Sequence, residues 1–238
     1  MPLPKISTPT YELVLPSTGK KIKYRPFLVR EEKVLILALE SQDIKQISNA
    51  VKSTLKSCVQ TRGVKIDDLP TFDIEYIFLN VRAKSVGESL DLVITCPDDN
   101  ETTVNAQIYT DDIEVVKDPE HDIEIPLDAK LTLKMKYPSM DQFIKSNFDI
   151  GESTADESFE IVASCIDTIY DAEDVWSASD CTKKELVEWV GDLNTAQFKE
   201  VEKFFNTMPK LSHTMKVTNP KTKVESEVTL EGLASFFG

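Results

Sequence analysis

Two histidines, His121 and His213, are the whole imidazole supply of this chain, and Cys58, Cys96, Cys165 and Cys181 are its only thiols. General-base or nucleophilic catalysis needs such a group beside a hydroxyl, thiol or carboxylate partner at a spacing that local structure can close. Neither histidine has one. His121 sits among carboxylates in "PEHDIE" and reads as a solvated loop histidine. Zinc needs several converging ligands. Cys96 heads "CPDDNE", which looks like half of a zinc knuckle whose second cysteine has been replaced, and the equivalent place in a later hairpin is Asn219. One thiolate cannot hold zinc. The same stretch lacks the glycine and terminal glutamate of a calcium loop. With 7 glycines in all, the chain carries neither a phosphate cradle nor a dinucleotide fingerprint. The expectation is therefore no catalytic residue, no cofactor and no metal. Residue types alone point to a binding or assembly module. The alternative is a small enzyme or ligand-binding module with acidic loops as its site. One dominant pocket lined by perturbed carboxylates would mark the second, and extended partner-binding patches the first.

The 238 residues, 41% of them hydrophobic, suffice to bury a core without disulfide staples. Cysteines so far apart, with no Cys-x-x-Cys pair, suit a reducing cytoplasm. The balance of 41 Asp and Glu against 27 Lys and Arg gives a formal charge of −14, which repels phosphate backbones and anionic membranes. Nucleic acid is not an expected partner. The densest basic run is Lys20, Lys21, Lys23 and Arg25. Alternate side chains of a strand face opposite ways, so the run is expected to be split between two faces. No stretch approaches the roughly 20 apolar residues of a membrane span, so no membrane insertion is expected.

Any functional surface must be positioned by three strand–turn–strand units, at Tyr11–Phe27, Ser89–Tyr109 and His213–Leu233. In each, an alternating apolar run ends at a proline or polar turn and a second run follows. The turns "VITCPDDNETTV" and "KVTNPKTKVESEV" align with one another. Leu131, Leu133 and Met135 alternate with Thr132, Lys134 and Lys136, the pattern of a half-buried antiparallel strand. Helical spacing links Ile44, Ile47, Val51, Leu55 and Cys58, then Ile74, Ile77, Phe78 and Val81, each as a single buried stripe. The same spacing joins Ile161, Val162, Cys165, Ile166 and Ile169, and then Leu186, Trp189, Val190 and Leu193. Ser139 with Gln142 and Thr182 with Glu185 have capping-box spacing, and Asn194 or Thr195 caps a last helix. The fold class is α+β: mostly antiparallel hairpins with interspersed amphipathic helices, in two subdomains, residues 1–117 and 118–238.

Within this scaffold the candidate partner contacts are Arg25, Phe27, Glu31, Glu32, Trp176, Phe236 and Phe237. Arg25, Glu31 and Glu32 flank a strand-to-helix junction, where they either stabilise the helix start or meet a partner. Trp176 is placed on a loop. Leu233, Phe236 and Phe237 form one face of a short terminal helix that either closes the core or docks into a neighbour. "VLILAL", residues 34–39, puts six apolar residues in a row on one helix, so that helix is covered on several sides or offered in part to a partner.

The run "GKKIKYRPFLVREEKVLILALES", followed by "FDIEYIFLNVRAKSVGE", "TCPDD" and "VTLEGLASFF", resembles the baseplate protein family of T-even-type contractile-tailed bacteriophages. The resemblance implies a structural or morphogenetic protein that acts through surfaces, in the family of the hub subunit or hub-assembly factor. It implies synthesis in infected host cytoplasm and other baseplate or hub proteins as partners. Many members of that family look as though they keep a fuller cysteine pair at the "TCPDD" hairpin, where this chain has Cys96 alone. No catalytic residue is carried over.

Overall fold

The computed structural model describes residues 6–41, 43–140 and 155–236. The chain is α+β, and every strand pairing among the described residues is antiparallel. It opens with strands β1 (Tyr11–Val14) and β2 (Lys21–Tyr24), then helices α1 (Val29–Ser41), α2 (Ile44–Cys58) and α3 (Thr71–Val86). The hairpin of β3 (Ser89–Thr95) and β4 (Thr103–Tyr109) follows, then β5 (Glu114–Val116), β6 (Glu124–Pro126) and β7 (Thr132–Met135). Next come α4 (Ala155–Ser164), β8 (Ile166–Tyr170), β9 (Val175–Ser177), α5 (Lys183–Gly191) and α6 (Thr195–Thr207). The chain closes with β10 (Lys210–Thr218), β11 (Glu225–Glu231) and a single 3-10 turn, Leu233–Phe236.

Two apolar cores form. The first gathers β1–β4, α1–α3 and the terminal hairpin around Ile22, Leu55, Ile77, Leu79, Leu211 and Phe236. The second gathers β6–β8 and α4–α6 around Leu133, Ile166, Val190, Val201 and Phe204. The terminal hairpin therefore packs across the 117/118 line drawn from the sequence. The cause is a long-range pairing in which Lys210, Leu211 and Ser212 of β10 face Val116, Val115 and Glu114 of β5. A sequence periodicity carries no signal of such a partner.

All three hairpins form, each with a proline or glycine at its turn. Lys21 and Lys23 share one wet face of β2, both beside Glu12, so the basic run is not split there; Ile22 and Tyr24 occupy the core face. Both capping boxes of α5 and α6 are made, Thr182 with Glu185 and Asn194 with Gln197. The helix expected to begin at Ser139 with Gln142 lies outside the described residues beyond Met140, as does most of the connection "NFDIGESTADES".

Three local expectations are corrected. The stripe Ile161–Ile169 is not one helix: α4 stops at Ser164, where the Cys165 N–H is shared between the carbonyls of Ile161 and Val162. Ile166, Thr168 and Ile169 are β-branched and suit a pleated surface, and β7 supplies the neighbour, with Leu133 opposite Ile169. Trp176 lies on a strand, not a loop, opposite Ile169. Helix α3 has no single buried stripe. Phe72, Asp73, Ile74, Ile77, Leu79 and Val81 are all buried, which makes α3 the central helix of the first core. Its Asp73, raised above the usual carboxylate range by burial, accepts hydrogen bonds from the N–H and hydroxyl of Ser17 in the β1–β2 turn.

Candidate functional site

The start of α1 is set by Arg25 and Glu31. The Arg25 guanidinium donates from Nη1 to Glu31 Oε2 at 2.8 Å and from Nη2 to Oε1 at 2.7 Å, a bidentate pair. Glu31 Oε2 also accepts the Leu28 N–H at 2.8 Å, so a third-position glutamate reaches back to the helix start. Arg25 Nη1 donates to the Pro26 carbonyl, and the Arg25 N–H to the Cys58 carbonyl at the end of α2. Both side chains are only 13% exposed. Hydrogen bonding to Arg25 holds the Glu31 carboxyl below its usual range and raises the guanidinium. Arg25 and Glu31 thus act on each other and lock α1 to β2 and α2, whereas Glu32 turns to a neighbouring groove.

That groove answers what covers the "VLILAL" helix. Only Ala38 of α1 is buried, while Val34, Ile36, Leu37 and Leu39 are 49, 49, 54 and 47% exposed. On a 100° helical step Ile36 and Leu39 lie to one side of Ala38, and Val34 and Leu37 to the other, so both flanks of the helix are left open. Beside the first flank runs an apolar groove of about 300 Å³. Its walls are Leu35, Ile36 and Leu39 of α1, Ile47, Ala50 and Val51 of α2, and Phe78 and Val86 of α3. Phe27 and Leu233 also line it, with Glu32 and Arg82 as its charged residues. The Phe27 N–H donates to Ser85 Oγ at 3.0 Å, which ties the strand exit to α3. An exposed apolar flank continuous with such a groove suits an apolar side chain from another molecule, each fully buried Val, Leu or Ile being worth about 1.5–3 kcal/mol. The walls from α2 and α3 were not foreseen, because those helices read as internal stripes; the only signal was the unbroken run at residues 34–39.

The other candidates lie elsewhere. Trp176 is on β9 and half exposed. Phe236 is 1% exposed within the chain's own first core, beside Leu233. Phe237 lies outside the described residues.

The two aligned turns meet. Asn219, itself buried, donates from Nδ2 to Asp98 Oδ1 at 3.0 Å and to Asp99 Oδ2 at 3.0 Å, and its Oδ1 accepts the Lys221 N–H. Thr222 Oγ1 donates to Asp98. Both turns carry a left-handed residue in the same place, Asn100 and Lys223, each donating its N–H four residues back, to Cys96 and Asn219. Hydrogen bonds from Thr102 and Asn219 hold Asp99 well below the usual carboxylate range. Among the described residues no group of three or more His, Cys, Asp or Glu is placed to hold a metal ion. All four thiols are free, and burial pushes Cys58 and Cys165 up to about 11, far from a reactive thiolate at neutral pH. A cleft of about 730 Å³ lies between the two cores, lined by Asp67, Asp68, Lys134, Lys136 and Asp167 together with Ile123, Met135, Tyr137 and Cys165. Lys134 and Asp167 are 4.0 Å apart there. The buried carboxylate Asp73 is not part of it.

His121 is not the solvated residue expected. It stacks on Tyr137 with centroids 5.5 Å apart and lies 5.2 Å from Phe204. Nδ1 is 2.9 Å from Thr207 Oγ1 and Nε2 is 3.0 Å from Tyr137 Oη. Thr207 gives its own proton to the Lys203 carbonyl, so its oxygen accepts from Nδ1–H and Nε2 accepts from Tyr137. Burial lowers the histidine below its ordinary 6.5, and nearby Asp122 and Asp118 oppose this only partly. A depressed folded-state value means the unfolded chain takes up the proton first, so stability is lost as pH falls through 6.5 toward the folded value. The melting temperature is expected to drop between pH 7 and pH 5.5, before the carboxylates titrate, and His121→Gln is expected to flatten that slope. An unchanged slope in the variant would contradict the assignment.

Among the described residues no helix is long and apolar enough to cross a membrane. No curated protein and no solved structure matches the chain. The family model for the T4 bacteriophage base plate protein does match it, over residues 8–238, so the chain belongs to the T4 bacteriophage base plate protein family.

Proposed function

We propose that this chain is a non-enzymatic subunit or assembly factor of the baseplate hub in a contractile-tailed phage, made in the infected host cytoplasm and working by contact with other baseplate or hub proteins. Membership of the base plate family supports the baseplate role. The observation that carries the mode of action is the open apolar flank of α1 beside its groove, which no element of the chain covers among the described residues. In this reading Phe27 and Glu32 contact the partner, while Arg25 and Glu31 hold α1 in place. The formal charge of −14 disfavours nucleic acid as the occupant.

Ile36→Asp combined with Leu39→Asp tests it. Both side chains are about half exposed, so the isolated variant is expected to stay soluble, with stability changed by about 0.5 kcal/mol per site. Complementation of a phage lacking this protein is expected to fall by orders of magnitude, with loss of co-purification of baseplate partners. Full complementation by the folded variant would contradict the proposal.

A further inference from the structure

We propose a second interaction surface: the open edge of β9 takes an extended segment of another protein as a fifth strand, a segment in which basic residues alternate with apolar ones. The sheet runs β6-β7-β8-β9, so among the described residues β9 has a neighbour on one side only. Across its core face one row reads Ile125, Leu133, Ile169, Trp176, with exposures of 5, 0, 8 and 46%. The row is dry until its last member, and Trp176 stays half exposed because, among the described residues, no strand lies at the next position across. An apolar side chain there would complete the row.

The backbone of β9 agrees. The Asp171 N–H donates to the Asp174 carbonyl, which makes these two a hydrogen-bonded pair of the β8–β9 hairpin. Such pairs alternate along an antiparallel ladder, so Ile169 and Trp176 form the next one. The N–H and C=O groups of Val175 and Ser177 therefore point away from β8, to the open edge. The opposite edge of the sheet is blunted, since Pro126 has no N–H and the Glu124 N–H is taken by Asp122 Oδ1 at 3.0 Å. β9 contains no proline; its Ser177 carbonyl accepts from the Cys181 thiol at 3.7 Å, and its Val175 is 71% exposed.

Charge selects the occupant. Asp171, Glu173, Asp174 and Asp180 bracket the strand, and the following lysines are already engaged, Lys183 with Glu160 and Lys184 with Glu188. A second copy of the chain would bring the same carboxylates against each other. A strand with Lys or Arg on either side of its apolar residue meets Trp176 on the core face and the carboxylates around it.

The test uses the whole chain with Trp189→Phe, which leaves Trp176 as the only tryptophan, and a synthetic peptide alternating lysine and valine. It reads binding in vitro, so its failure is distinct from any failure of phage assembly. The peptide is expected to shift Trp176 emission to shorter wavelength, saturably, and with affinity that falls as salt rises. Val175→Pro, checked for an unchanged circular dichroism spectrum, is expected to weaken binding about tenfold or more by removing an outward N–H. Asp174→Lys with Asp180→Lys is expected to switch preference to a glutamate–valine peptide. No saturable shift, equal response to both peptides, or Trp176 burial through self-association of the chain would each overturn the proposal.

Discussion

Phe236→Ala is expected to lower the melting temperature by on the order of 10 °C. Phe236 and Leu233 are among the least exposed residues of the first core, 1 and 2% respectively. They reach it because Gly232, at φ +71°, turns the chain out of β11 while its N–H donates to the Leu211 carbonyl at 2.9 Å. Truncating a buried phenylalanine costs about 3–5 kcal/mol through lost transfer energy and the cavity left behind. That is a large part of the roughly 5–15 kcal/mol that holds a domain together. Differential scanning calorimetry of the isolated chain measures it. A melting temperature within about 2 °C of the native value would instead assign Phe236 to a partner.

Arg25→Ala is expected to destabilise the chain by about 3–5 kcal/mol, because it leaves the Glu31 carboxylate mostly buried with the Leu28 N–H as its remaining donor among the contacts described above. Replacing both partners, Arg25→Met with Glu31→Met, is expected to cost far less, since no lone buried charge remains. The Glu31 carboxyl is held below its ordinary 4.5, chiefly by hydrogen bonds from Arg25. The pair's contribution is thus fully present above pH 4.5 and lost as pH falls through the depressed value. Urea unfolding at pH 7 distinguishes these cases. Equal destabilisation by the single and double variants would show that packing, not the pair, holds this junction.

Local pattern made the hairpins, the α2 stripe, the Thr182–Glu185 capping box and the Asn194 cap legible, because each depends on residues within a few positions of one another. What it could not reveal depends on distant partners. The spacing of Ile161, Val162, Cys165, Ile166 and Ile169 fits a helix, yet β7 offers Ile166–Tyr170 an edge, and strand pairing decides. β10 closes on β5 across about a hundred residues, which drew the terminal hairpin to the first core. Helix α3 carries Asp73, Glu75 and Arg82 yet lies at the centre, where a single buried stripe was expected, while α1, whose apolar run left cover or a partner open, lies at the rim. Of the candidate contacts, Phe27 and Glu32 fall together on the groove, whereas Arg25 and Glu31 pair with each other. His121 was misread because Tyr137, Thr207 and Phe204, which enclose it, come from other segments.

In the proposed function the open flank of α1 is covered by another baseplate protein during assembly. A photo-crosslinking amino acid placed at Ile36, with a control at the exposed turn residue Lys223, addresses it directly in infected cells. A crosslink is expected from position 36 to another phage baseplate protein, formed while baseplates are assembling, and none to that protein from position 223. A crosslink pattern identical at both positions, or position 36 joining no baseplate protein while infectious particles still form, would contradict it.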